Sequence, residues 1–231
     1  MKNSLSVKTE AKDLYRRKLL TRISLLIVAF LLLFLSLLYG VLYIINTKGN
    51  FTISLDPNLK ANKSIYISPT SDFKETPMYL KSNALEYMDN ISGSWLPADL
   101  DSVEGEHNGS NYLAYTFFVK NGGEETSDYR IVLNILSVIK NVDEAVRVKM
   151  YFNGEETVYA KKNSTTNEPE TNTQPFVSDT QVMNYLRKGI EPNGVDRITV
   201  VIWLEGDDPD CIDNILGGEM KMELSLGEDR S

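Results

Sequence analysis

One cysteine and one histidine occur in 231 residues. An intramolecular disulfide is excluded, which suits an exported domain of a Gram-positive bacterium better than one made along a eukaryotic secretory route. A zinc site takes three or four His, Cys or carboxylate ligands; here one histidine is on offer and no HExxH occurs. A Ser-His-Asp set would depend on that same residue, His107, and the chain has no nucleophile elbow, P-loop or GxGxxG. His107, within EGEHNGSN, reads as an exposed loop residue. Cys211 lies among carboxylates, which disfavour a thiolate, and reads as a small buried apolar side chain.

Positive charge is scarce over most of the chain. Residues 49–231 hold 16 Lys/Arg against 30 Asp/Glu, a net of −14 that the chain total of −8 conceals. Such a surface repels nucleic acid and anionic lipid, so neither is expected as a partner. The missing cations sit at the start: residues 1–22 carry seven Lys/Arg against Glu10 and Asp13.

Next comes ISLLIVAFLLLFLSLLYGVLYII, residues 23–45, without a charge. As a helix it is roughly 34 Å long, more than the ~30 Å hydrocarbon core. Its serines can bond back to the helix, and Tyr39 and Tyr43 fall near one end, where aromatic rings favour the headgroup level. A cleaved signal peptide has a shorter apolar region and a small-x-small site, and YIINTKGN offers none. The expectation is an uncleaved single-pass anchor with the basic side in the cytoplasm and the rest outside the cell. The chain divides into a basic cytoplasmic tail (1–22), a transmembrane helix (23–45), a linker (46–50) and an extracellular domain (51–231).

That domain reads as mainly β. FTISLD (51–56), SIYISP (64–69) and EMKMELSL (219–226) alternate. PMYLKS, NYLAYTFFVKN, DYRIVLNILSVIK, AVRVKMYFNG, ETVYAKK and RITVVIWLEG supply further strands, with Asn153-Gly154 as a hairpin turn. One short helix is predicted in SDTQVMNYLRKG: Ser178 and Gln181 form a capping box, Val182, Met183 and Leu186 an apolar stripe, and Gly189 a C-terminal stop. ALEY (84–87) is a weaker helical segment. Residues 161–175 are polar and aperiodic and read as a mobile loop. Many short strands and few helices predict an antiparallel β-sandwich, jelly-roll or immunoglobulin-like.

The densest polar cluster is GDDPDCIDN. Asp207, Asp208, Asp210 and Asp213 fall within seven residues, flanked by Glu205 and Asn214. Hard oxygen donors at this density suit Ca²⁺, although the EF-hand order is absent. The same residues suit a corner: Asp208-Pro209-Asp210 starts a turn, Asp210 or Asp213 caps a helical turn in CIDNIL, and Gly217-Gly218 supplies positive φ before the last strand. Trp203, Ile215 and Leu216 would pack beneath. No other cofactor is expected, and no catalytic residue.

The basic start and apolar segment, then GNFTISLDPN, YTFFVKNGGEETSDYRIVLNI and VIWLEGDDPDCIDNILGGEMKMELSL, together resemble exported Gram-positive surface proteins of the TasA/camelysin family. The resemblance is best over the last 30 or so residues, in the pattern W-x-E-x-x-D-P-x-C-x-D-x-x-x-G-G. It implies a jelly-roll-like sandwich and a part in biofilm-matrix fibres. Some family members were described as metalloproteases; the ligands for that activity are not found here, and no catalytic residue is carried over. The expected function is a non-enzymatic, membrane-anchored envelope module that associates with itself or another envelope protein. In that role residues 50–56 would complete a neighbour's sheet edge. The alternative is a module binding a glycan, peptide or membrane protein through loops 83–110 and 161–178, with Trp95, Tyr112 and Tyr115 contributing. An envelope hydrolase is the remote third.

Overall fold

The computed structural model describes residues 4–46 and 51–228, with side chains over 14–40 and 51–228. The expected linker, apart from Asn46, lies outside the described residues. The chain separates into two units, Met1–Lys48 and Gly49–Ser231.

The first unit is one helix, α1 (Ser4–Asn46), so the basic segment and the apolar segment share a single rod. Leu14–Gly40 is long and apolar enough to cross a membrane. Leu25, Leu26, Ile27 and Val28, which succeed one another around the helix, are all exposed, so the segment is apolar on every side. Ser24 and Ser36 donate to the carbonyls of Thr21 and Leu33 (2.9 and 2.8 Å), so neither hydroxyl is left unpaired in an apolar setting.

The second unit contains strands β1 (Phe51–Leu55), β2 (Ile65–Ser68), β3 (Tyr79–Ser82), β4 (Gly105–Glu106), β5 (Tyr112–Asn121), β6 (Ser127–Ile139), β7 (Val146–Phe152), β8 (Glu155–Ala160), β9 (Gln174–Pro175), β10 (Gln181–Ile190), β11 (Val195–Leu204) and β12 (Glu219–Gly227). They form two sheets. One runs β10-β6-β12-β1-β3; the other runs β2-β5-β11-β7-β8-β9, with β4 also on β5. Pairing is antiparallel except for β1 with β12 and β8 with β9. The period-two alternation read in the sequence puts Phe51, Ile53, Tyr129, Ile131, Leu133, Leu224 and Leu226 on the inner face of the first sheet. Phe117, Val119, Val148, Ile198 and Val200 face them from the second. The result is a sandwich, not a closed barrel.

β11 reads as a near-continuous apolar run because its outer face is covered too. Val201 and Trp203, with Ala114, pack against Leu100, Ile91 and Leu96 of the segment after β3. Loop 83–110 is therefore largely a covering layer. Tyr115 is buried in the core and Tyr112 half-buried, while Trp95 stays 74% exposed.

Three local expectations are corrected. Residues 181–190 form strand β10, not a helix. Ser178 and Gln181 exchange backbone hydrogen bonds (3.0 and 3.2 Å), so the residues that resemble a capping box make a tight turn instead. Met183–Arg187 then pairs with Leu133–Tyr129, and Gly189 takes φ +63 at the bulge that precedes Ile190. A ten-residue segment cannot hold a helix against an open sheet edge that offers it a full ladder. A helix does form where none was expected, α2 (Pro57–Lys63). Asp56 accepts from the Asn58 amide, Pro57 sits in the first turn, and Ser64 closes the end in the left-handed region. Ala84–Tyr87 forms no helix.

The two sheets are also tied by one polar network. The buried Asp196 carboxylate of β11 accepts from the Tyr129 hydroxyl (2.8 Å), Asn153 Nδ2 (2.8 Å) and Arg187 Nε (3.0 Å). Burial, reinforced by the negative charge of Asp196, holds the Tyr129 hydroxyl well above its ordinary value of 10.0. The folded state keeps this proton where the unfolded chain releases it. Its contribution is whole below pH 10 and is lost as pH rises past that value. Thermal melts from about pH 8 to 11 are expected to show a falling Tm above 10, with a shallower fall in Tyr129→Phe. Equal slopes in the two proteins would contradict this.

Candidate functional site

The acidic stretch before β12 forms a corner. Glu205 turns back on its own strand: Oε2 accepts from Trp203 Nε1 and from the Gly93 amide, both at 3.0 Å. Asp208 is buried, and its Oδ1 accepts from the Asp210 amide (2.7 Å), the turn that Asp-Pro-Asp favours. Its other oxygen is paired with Arg147 Nη2, which reaches across from β7. The same guanidinium nitrogen is 3.8 Å from Glu170 Oε2.

Asp210 holds the neighbouring loop. It accepts from Ser164 N and Oγ (2.8 and 2.5 Å). Asn163 caps the next turn, its Oδ1 accepting from Thr165 N and Thr166 N (3.0 and 2.9 Å). Residues 161–175, expected as a mobile loop, are thus folded into turns and docked on the corner.

Four aspartates were expected here as donors to one ion. The fold brings together two of them, Asp208 and Asp210, and adds Glu170, with donor oxygens within 4.8 Å of one another. Asp207 and Asp213 are exposed and point elsewhere. Neither Asp210 nor Asp213 caps the following turn: Asp213–Ile215 is a short 3-10 segment whose N-cap position is Ile212, without a side-chain cap bond. Gly217 has φ +68 as expected. Gly218 is needed for space: a Cβ there would lie 2.8 Å from the Ile215 carbonyl oxygen and 2.8 Å from Val142 Cβ. Ile215 is buried as expected, but Leu216 is exposed.

Glu170 and Arg147 were missed by sequence reasoning. They lie 38 and 61 positions before Asp208, and spacing carries no signal over such separations. The only sequence hint was an arginine on a strand whose other residues are mostly apolar.

Electrostatically the corner is rich in carboxylates. Lys161 Nζ bonds Asp143 Oδ2 at 2.8 Å and lies 3.6 Å from Asp179. Glu144, nearby, has its carboxyl raised above its ordinary value. Partial burial is the main cause, opposed by Lys161 and reinforced by Asp210, Asp143 and Asp208. Three converging carboxylates have the chemistry to hold a hard cation. In this arrangement Arg147 supplies the positive charge, and the corner acts as a clamp joining β7, loop 161–175 and the β11–β12 connection.

His107 is half-buried rather than exposed, with Nδ1 2.9 Å from the Gly105 carbonyl oxygen. Cys211 is half-buried and accepts from Asn90 Nδ2 at 3.4 Å. Among the described residues, neither makes a hydrogen bond to a carboxylate or to a second imidazole.

A second feature lies on the outer face of the first sheet, a trough of about 350 Å³ above β1 and β12, flanked by Tyr79 and Arg130.

No protein-family model matches this chain, and no curated relative matches it. Among solved structures, a β-glucosidase from Kluyveromyces marxianus in complex with glucose aligns at 14% identity and a TM-score of 0.26. It covers 72% of this chain and 15% of the other. A selenomethionine-labelled form of that β-glucosidase aligns at 13% identity and a TM-score of 0.27, covering 72% and 16%. The chain spans about one sixth of the length of these proteins, and superposition at this level carries no argument about fold or function.

Proposed function

We propose that the protein is a single-pass membrane module whose β-sandwich works outside the cytoplasm by contact rather than by catalysis, as a structural or assembly component of a Gram-positive envelope. The observation that carries the reading is the fusion of an apolar helix, Leu14–Gly40, to a domain with its own core. The seven cations of residues 1–22 favour a cytoplasmic N-terminus. The resemblance to TasA/camelysin proteins supports the envelope role. A non-enzymatic role is supported by the settings of His107, Cys211 and the Arg147-bound carboxylates.

The route of assembly differs from the expected one. β1 sits between β12 and β3 of its own sheet, with Phe51 and Ile53 fully buried. Residues 51–55 cannot complete a neighbour's sheet without leaving their own, so association through preformed surfaces is the economical route.

Protease shaving of intact cells tests the topology. With one tag before Met1 and another after Ser231, the C-terminal tag is expected to vanish and the N-terminal tag to remain on a short membrane-bound fragment. Retention of the C-terminal tag in intact cells, with its loss on lysis, would overturn the outward orientation.

A further inference from the structure

The trough on the first sheet has a built shape. One row across the strands reads Tyr79, Ser54, Ser225 and Val132, each paired with the next. The two middle positions are serines, and Gly227, which pairs with Arg130, adds no side chain one step along. Small residues in the centre with Tyr79 on one side and Arg130 and Val132 on the other leave a groove about 14 Å across, three strand spacings. Its volume, about 350 Å³, falls in the range of small-ligand sites. Tyr79 is 61% exposed, with its ring available for stacking.

The chemistry of the walls selects the occupant. Among the described residues, Asp56, Glu223 and Glu228 line the trough together with one cation, Arg130, whose Nη1 donates to Asn184 (2.7 Å). An acceptor-rich, net-negative trough favours donors and positive charge and disfavours uronic acids or phosphates. Phe51–Ser54 of β1 and Met222–Leu226 of β12 have ladder partners on both sides, so the middle of the floor has its backbone already engaged. A peptide laid there would leave its own amides unpaired, whereas a sugar brings hydroxyls that both donate and accept.

We propose that this trough binds a short amino-sugar oligosaccharide, one ring stacked on Tyr79 and its ammonium and hydroxyl groups facing Glu223 and the serine floor. This adds a ligand to the contact role above. It does not depend on which way the anchor points, so titration and shaving fail independently.

The test is calorimetric titration of the full chain in lipid nanodiscs with a glucosamine tetramer. Saturable binding is expected, at least about tenfold weaker in Tyr79→Ala, retained in Tyr79→Phe, and about tenfold weaker in Glu223→Gln. The N-acetylated tetramer is expected to bind more weakly and polygalacturonate not at all. Absence of saturable binding, or unchanged affinity in Tyr79→Ala, would overturn the proposal. Trilysine binding as tightly with the same dependence on Tyr79 would replace the saccharide with a basic peptide. Both Tyr79 substitutions are on an exposed position, and circular dichroism confirms that each variant is folded.

Discussion

Arg147→Ala is expected to lower the stability of the β-sandwich by about 3–5 kcal/mol, the range for removing one partner of a buried ion pair. The arginine is 5% exposed and Asp208 equally so, and Glu170 and Asp210 stand close by. Without the guanidinium, three converging carboxylates would share a poorly solvated corner. The variant is therefore expected to acquire a calcium response: millimolar Ca²⁺ raises its Tm by several degrees, while the wild-type Tm moves less, because the ion must compete there with Arg147. Thermal melts with Ca²⁺ and with chelator measure both. A loss under 1 kcal/mol would mean that the clamp is dispensable. A large calcium shift in the wild-type protein would mean that a metal ion, not Arg147, is the resident cation of this corner. The exposed pair Lys74–Asp72 makes the contrast. Its contact is shorter than many at 2.7 Å, and Lys74 holds the Asp72 carboxyl at about 2. Both groups are in solvent, and Lys74→Ala is expected to have little effect on stability.

The second large effect is at Asp196. Asp196→Ala removes the acceptor shared by Tyr129, Asn153 and Arg187, and a loss of about 3–5 kcal/mol is expected. Asp196→Asn keeps one acceptor oxygen and is expected to cost less, about 1–3 kcal/mol. Because the network joins β6 and β10 of one sheet to β11 and the β7–β8 turn of the other, hydrogen exchange is expected to rise in both sheets. Exchange confined to the Asn153 turn would show that the network is local and does not tie the sheets.

Residues 178–190 and 205–218 show how far local pattern reaches. Ser178, Gln181, Val182, Leu186 and Gly189 satisfy a helix template, yet the free edge of β6 decides for a strand, because a sheet ladder over ten residues outweighs weak helical preference. α2 was legible in principle, since Asp56-Pro57 is a helix start, but the alternating residues before it masked the change. In the acidic corner, density of aspartate pointed to the right place. It did not say which aspartates converge: neighbours in sequence point in different directions once a turn forms, so Asp207 turns out to solvent while Asp208 turns in.

The sequence by itself determined the coarse architecture: an apolar segment long enough to cross a membrane, and a train of alternating strands that must bury one face against another sheet. Composition alone ruled out a disulfide within these residues and set the acidic surface. The tertiary structure decided what depends on residues distant in the chain. Strand order, the covering of β11 by residues after β3, the pairing of Arg147 with Asp208 and Glu170, and the trough between Tyr79 and Arg130 arise only when separate strands are laid side by side. Periodicity reports which face a residue takes on its own strand, and only folding selects the residues it meets there.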